Sequence, residues 1–133
     1  MSRFLLAAVS LLLCACGSVQ KSAQVAYNKS RVVKQPGGGT LVVGPEIPFT
    51  VRGSRGVTGF QALVKEKKIS YYQMTSLANV PDAGTFEASR AKMERFRQQG
   101  ASLAVAGSSV RVRFSPAYID GFLKRVDAVA AQR

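Results

Sequence analysis

The 133-residue chain contains no histidine and only two cysteines, Cys14 and Cys16. Without histidine it lacks the commonest general base and the commonest metal ligand. Both thiols fall within the first sixteen residues, so from Gly17 onward no disulfide, thiolate metal site or cysteine nucleophile can form. Acid is scarce as well, with seven Asp and Glu against nineteen Lys and Arg, a formal charge of +12. Seven carboxylates scattered along the sequence suggest no pair of the kind glycoside hydrolysis needs. Long apolar runs are also lacking. Phe4 to Leu13, interrupted only by Ser10, is about half the roughly 20 residues needed to cross a bilayer core.

That short run nevertheless has the form of an export signal. Arg3 supplies a positive start, the apolar segment follows, and small Ala15 precedes Cys16. Leu13-Cys14-Ala15-Cys16 resembles the lipobox of bacterial lipoproteins, in which Leu, a tolerant position, Gly or Ala, and Cys occur in that order. Cys14 at the tolerant position departs from the usual pattern. Cys14 is itself a poor acceptor, because bulky Leu13 would stand before the cleavage point. The resemblance implies a signal peptide over residues 1–15, cleavage before Cys16 and acylation of its sulfur and nitrogen. Two or more acyl chains anchor stably where one does not. Gly17, and not Asp, follows the cysteine; the family's sorting rule then implies the outer membrane, facing the periplasm.

Removing residues 1–15, whose one charged side chain is Arg3, leaves 118 residues and lowers the formal charge from +12 to +11. Such a charge suits anionic surroundings: lipid headgroups, lipopolysaccharide phosphates, cell-wall carboxylates or an acidic protein face. An exported, tethered chain is not expected to meet nucleic acid. Residues 16–39 are polar and weakly patterned, closing on Gln35-Pro36-Gly37-Gly38-Gly39. They read as a flexible tether with a reach of roughly 25–30 Å.

The folded unit is expected over residues 40–133. Thr40 to Val43 and Phe49 to Arg52 are β-prone, and the two prolines between them suit an edge. Gly53-Ser54-Arg55-Gly56-Val57-Thr58-Gly59 reads as a loop; its glycines, three apart, match neither a dinucleotide fingerprint nor a P-loop. Residues 58–68 fit helix and strand equally. Ile69 to Met74 is a strand that puts Tyr71 and Tyr72 on opposite faces, one of them at least half-exposed. After Pro81 a helix capped by Asp82 or Thr85 is expected to run to Gln99 and stop at Gly100, with Phe86, Met93 and Phe96 as its stripe. Ser102 to Ala106 and Val110 to Phe114 form a hairpin with Arg111 and Arg113 on its solvent face. Ser115-Pro116 opens a last helix whose apolar side is Tyr118, Ile119, Phe122, Leu123, Val126, Val129 and Ala130. The class is α+β: a small antiparallel sheet of three to five strands with two amphipathic helices on one face.

Ser89-Arg90-Ala91-Lys92 has the Ser-x-x-Lys spacing of penicillin-interacting serine enzymes. Ser18-Val19-Gln20-Lys21 repeats it, and neither Ser-Asp-Asn nor Lys-Thr/Ser-Gly occurs to complete such a site. The expectation is a protein without catalytic residues, metal or cofactor, anchored through Cys16. It would serve as an accessory subunit of an envelope protein complex, or bind an anionic polymer such as peptidoglycan or lipopolysaccharide. The candidate binding side chains are Arg111 and Arg113 with Tyr71 or Tyr72, and Arg55 in the glycine loop.

Overall fold

The computed structural model describes residues 21–78, 80–104 and 110–132. A helix over residues 21–29 (α1) is followed by strands β1 (Arg31–Lys34), β2 (Thr40–Val43), β3 (Ile47–Val51), β4 (Ser54–Lys65), β5 (Lys68–Leu77) and β6 (Val80–Ala88). Helix α2 (Arg90–Gln99), strands β7 (Ala101–Ala104) and β8 (Arg111–Phe114), and helix α3 (Pro116–Ala131) complete the chain. The protein is α+β, with an antiparallel sheet of six strands where three to five are expected from the sequence. Strands β7 and β8 form a separate two-stranded sheet.

Two segments account for the extra strands. Residues 31–34, expected in the tether, pair with β2 as an edge strand, and the Gln35–Gly39 run is the turn between them. The tether expected over residues 16–39 is therefore corrected: from Lys21 onward the chain is already structured. Residues 80–88, expected in part as helix, pair with β5 as the opposite edge. Pro81 is tolerated there because an edge strand does not need every N–H. The helix cap is Ser89, whose Oγ accepts from Lys92 N at 3.2 Å, and not Asp82 or Thr85. Phe86 belongs to the strand, exposed beneath the ammonium of Lys92 at 4.4 Å. Gly100 ends α2 as expected, with φ 79° and its N–H on Phe96 O at 2.7 Å.

Residues 58–68 resolve as strand and turn. β4 runs unbroken to Lys65, and Glu66-Lys67 turns the chain into β5. The glycine-rich stretch read as a loop is the tight Arg52-Gly53 turn, both residues at positive φ, and the start of β4. Along β4 the even positions from Gly56 to Val64 are all buried and face the helices; odd positions mostly stay half-exposed on the other face.

Strands β2 and β3 both pair with β4, end to end along one edge. Val43 faces Gln61 and Ile47 faces Thr58, so three residues of one strand oppose two of the other. That extra residue is a β-bulge, which leaves ladder groups without strand partners. Gly44 N donates to Phe60 O at 2.8 Å. The remaining groups are met from outside the sheet by Tyr118, whose Oη accepts from Phe60 N at 3.3 Å and donates to Pro45 O. The close approach requires glycine: a Cβ on Gly44 would lie 2.8 Å from Tyr118 Oη and 3.0 Å from Phe122 Cδ1.

Around this joint the core assembles. Phe60 touches the rings of Phe114 (4.8 Å), Phe96 (6.1 Å), Phe122 (6.2 Å) and Tyr118 (6.4 Å), which ties the β7–β8 hairpin and both long helices to β4. Ile119, Leu123 and Val126 are fully buried beside them, on the apolar side expected for α3. Ser115 caps that helix, accepting from Tyr118 N at 3.1 Å. Helix α1 packs against α3 where Gly121 presents no side chain; a Cβ there would stand 2.7 Å from Ala26 Cβ and 2.8 Å from Tyr27 N. Glycine inside a helix costs about 0.5–1 kcal/mol relative to alanine, and here it makes room for a second backbone.

Replacing Tyr118 by Phe should destabilise the fold by ~1–3 kcal/mol, because Phe60 N and Pro45 O lose their partner while buried. Gly44→Ala should destabilise by ~1–3 kcal/mol through overpacking, and by less in the Tyr118→Phe background. Urea midpoints of the four proteins check both expectations. Burial, helped by Glu46, also holds the Tyr118 phenol above its ordinary value of 10.0, the Phe60 amide opposing more weakly. The folded state thus keeps the proton longer than the unfolded chain. This contribution is complete below about pH 10 and is lost above it, by up to about 1.4 kcal/mol per pH unit. Tyr118→Phe should remove that part of the alkaline loss.

Candidate docking surface

The sequence-nominated binding residues do not converge. Tyr71 is corrected outright: it lies 3% exposed on the helix-covered face of β5. Arg90 Nη1 donates to its hydroxyl at 2.8 Å, and the guanidinium stands 5.8 Å from its ring centre. Arg90 then continues to Asp127 through two hydrogen bonds, at 2.8 and 3.0 Å, and to Glu94 at 2.9 Å. This arginine staples β5, α2 and α3, and the carboxylate of Asp127 holds its pKa above the ordinary value. Arg111 and Arg113 are exposed on β8, as expected, but on a sheet of their own. Arg111 is tied across to Ser102, donating to its Oγ at 3.1 Å and to its carbonyl.

Tyr72 and Arg55 share the face of the large sheet that turns away from the helices, three rows of side chains apart or roughly 20 Å. Cys16 lies outside the described residues. So does the Gly107-Ser108-Ser109 turn of the hairpin.

The Ser-x-x-Lys pair is a helix cap. Ser89 Oγ is occupied by the Lys92 amide, and Lys92 Nζ lies over Phe86, not beside the serine. Among the described residues no group of three or more Asp, Glu, Cys or His could hold a metal ion. The buried polar side chains Thr58 and Gln73 satisfy each other at 3.0 Å, and Thr58 donates onward to Met74 O at 3.0 Å. They form part of the sheet's own bonding.

What the sequence did not single out is the uncovered face of the large sheet. No described helix packs there. In successive rows it carries Val33, Leu41 and Leu63, then Val43, Gln61 and Tyr72, then Met74 beside Gly59. Val33 is 40% and Met74 37% exposed, large values for such side chains. Charges border this strip: Arg31 on the β1 edge, Lys65 and Lys68 at one end, Arg55 at the other, and the exposed Glu87 of β6 beside Tyr72. Near Arg55 a concavity of about 610 Å³ opens among Phe49, Val57, Ser76 and Leu77. The alternation of β4 and β5 was the signal that could have found this face, but it needed residues 58–68 to be read as strand.

All five ion pairs among the described residues lie on α2 and α3, engaging Glu94, Asp120 and Asp127. Those carboxylates engage Arg90, Arg97 and Lys124; Lys92, Arg95 and Arg125 on the same helices, like Arg31, Arg55, Lys65 and Lys68 on the sheet, take part in none of the described ion pairs. No described helix is long and apolar enough to cross a membrane. Comparison with known proteins returns no match: no protein-family model, curated protein or solved structure is significantly similar to the chain.

Ser89→Ala should lower stability by about 1 kcal/mol, the usual cost of losing a cap. A fluorophosphonate or penicillin probe should label wild type and variant equally little. Labelling of wild type that disappears in the variant would make Ser89 a nucleophile and overturn its reading as a cap.

Proposed function

We propose that the chain is a lipid-anchored protein of a bacterial envelope, held through Cys16, and that its domain is a non-enzymatic docking subunit of an envelope protein assembly. The observation that carries the second half is the uncovered sheet face: an apolar strip through Val33, Leu63, Tyr72 and Met74, with Glu87 on its β6 side and, elsewhere on its border, cations that take part in none of the described ion pairs. Such a face matches a partner protein that presents an apolar ridge flanked by carboxylates. Apolar area supplies affinity, and the charges set orientation and rate of encounter. The lipobox resemblance and the short apolar leader support the first half. A periplasmic site at the outer membrane follows from Gly17 by the family's sorting rule. The anionic-polymer reading has less support, since it joins the basic charge of the chain to stacking tyrosines, and one of the two candidates, Tyr71, is in the core.

The test is in-cell cross-linking of the tagged, lipidated protein, followed by detergent extraction and identification of what accompanies it. A discrete set of envelope proteins is expected, lost in the Val33→Glu/Met74→Glu variant and retained in Arg111→Glu/Arg113→Glu. Circular dichroism should show both variants folded, since the altered side chains are exposed. Recovery with peptidoglycan or lipopolysaccharide alone would transfer the function to polymer binding. Capture that survives the sheet-face changes but not the hairpin changes would sink the proposed surface.

A further inference from the structure

Helix α1 begins five residues after Cys16, inside the segment in which a tether is expected, and this changes how an anchored domain would sit. Four residues, 17–20, separate Cys16 from Lys21. Five residue steps of at most about 3.6 Å reach no more than about 18 Å when fully extended. A domain of about 100 residues has a radius of gyration near 13 Å and so a diameter of roughly 33 Å, and this link is shorter than the body it holds. Among the described elements, α1 is the one joined to the anchor most directly.

The composition of α1 suits that position. Ala23 and Ala26 are buried, Ala26 against Gly121 of α3, while Lys21, Gln24, Val25, Asn28 and Lys29 face solvent. Val25 is 50% exposed, the highest value for a large apolar side chain among the described residues. No acidic residue occurs between Lys21 and Lys34. On the adjoining flank the Arg125 guanidinium lies 5.0 Å from the Tyr27 ring centre, and Lys124 lines a hollow with Ala23, Gln24 and Tyr27. Lys21, Lys29 and Arg125 take part in none of the described ion pairs; Lys124 shares Asp120 with Arg97.

From this juxtaposition we infer that the exposed face of α1 lies on the anionic headgroups of the membrane that holds the anchor. Lys21, Lys29 and Arg125 face lipid phosphates, and Val25 enters the interface. This rests on acylation of Cys16, proposed above. Each cation at an anionic surface is worth about a fivefold preference, so three of them orient the domain when the tether is too short to average over orientations. The sheet face described above then points elsewhere and stays free for a protein partner.

The experiment uses the mature chain purified from membranes, in which an introduced cysteine is the sole free thiol if Cys16 is acylated. Val25→Cys and, as control, Ser76→Cys on the sheet face are inserted from micelles into preformed vesicles and reacted with a membrane-impermeant maleimide. On passing from phosphatidylcholine to phosphatidylglycerol vesicles, labelling at position 25 should slow at least about tenfold, as three cations at a charged surface require. Position 76 should be unaffected. Lys21→Glu/Lys29→Glu in the Val25→Cys background should restore fast labelling. Equal rates at position 25 in both lipids, with the acyl mass present on Cys16, would overturn the docking of α1 and leave the anchor standing. Protection at position 76 in place of 25 would also overturn it. An unacylated Cys16 would remove the anchor and the inference together.

Discussion

The phenol of Tyr118 closes a defect that the sheet cannot close by itself. Where β2 gives way to β3, the edge carries one residue too many, and the ladder fails at Phe60 N and Pro45 O. A single side chain, delivered from α3, supplies an acceptor and a donor to both. Other features follow from that joint. Gly44 must lack a side chain, α3 must be held in register over β4, and Phe60 becomes the ring around which Phe114, Phe122 and Phe96 gather. A domain without disulfides depends on such joints, because nothing covalent prevents its edge strand from slipping.

Legibility in the sequence tracked how local the governing interaction was. Helix α3 was readable because Ser115-Pro116 and a regular apolar face are written within sixteen residues. Gly100 and the β7–β8 pairing were readable for the same reason. The start of α2 was not, since Pro81 reads as a helix boundary, and only pairing with β5 makes residues 80–88 an edge strand. Residues 21–34 were misjudged because their polarity is that of a linker. What folds them is distant: Gly121 opens α3 to the α1 backbone, and β2 offers β1 an edge. No local pattern contains either fact.

The candidate site was less legible than the fold. Arginines and tyrosines were singled out as residue types, but the structure sorts them by parity and layer. Tyr71 and Tyr72 are neighbours in sequence; one is clamped by Arg90 beneath α2, and the other faces away from the helices. Arg90, which the sequence presents only as a position within the Ser-x-x-Lys stretch, is the tie among three elements. The surface with the best claim to recognition consists of Val33, Leu63 and Met74, ordinary strand residues that become notable only because no described helix covers them.

Strand β1 has one further consequence. All four of its residues are exposed, and among the described strands it is the last of the sheet on that side. Two molecules joining antiparallel through that edge in the symmetric register would set Arg31 of one against Lys34 of the other, at both ends of a four-residue contact. Like charges at that spacing oppose fibre growth and pairing between copies. The two cations at the ends of RVVK thus set a charge penalty on the one register in which this short edge could pair with itself symmetrically.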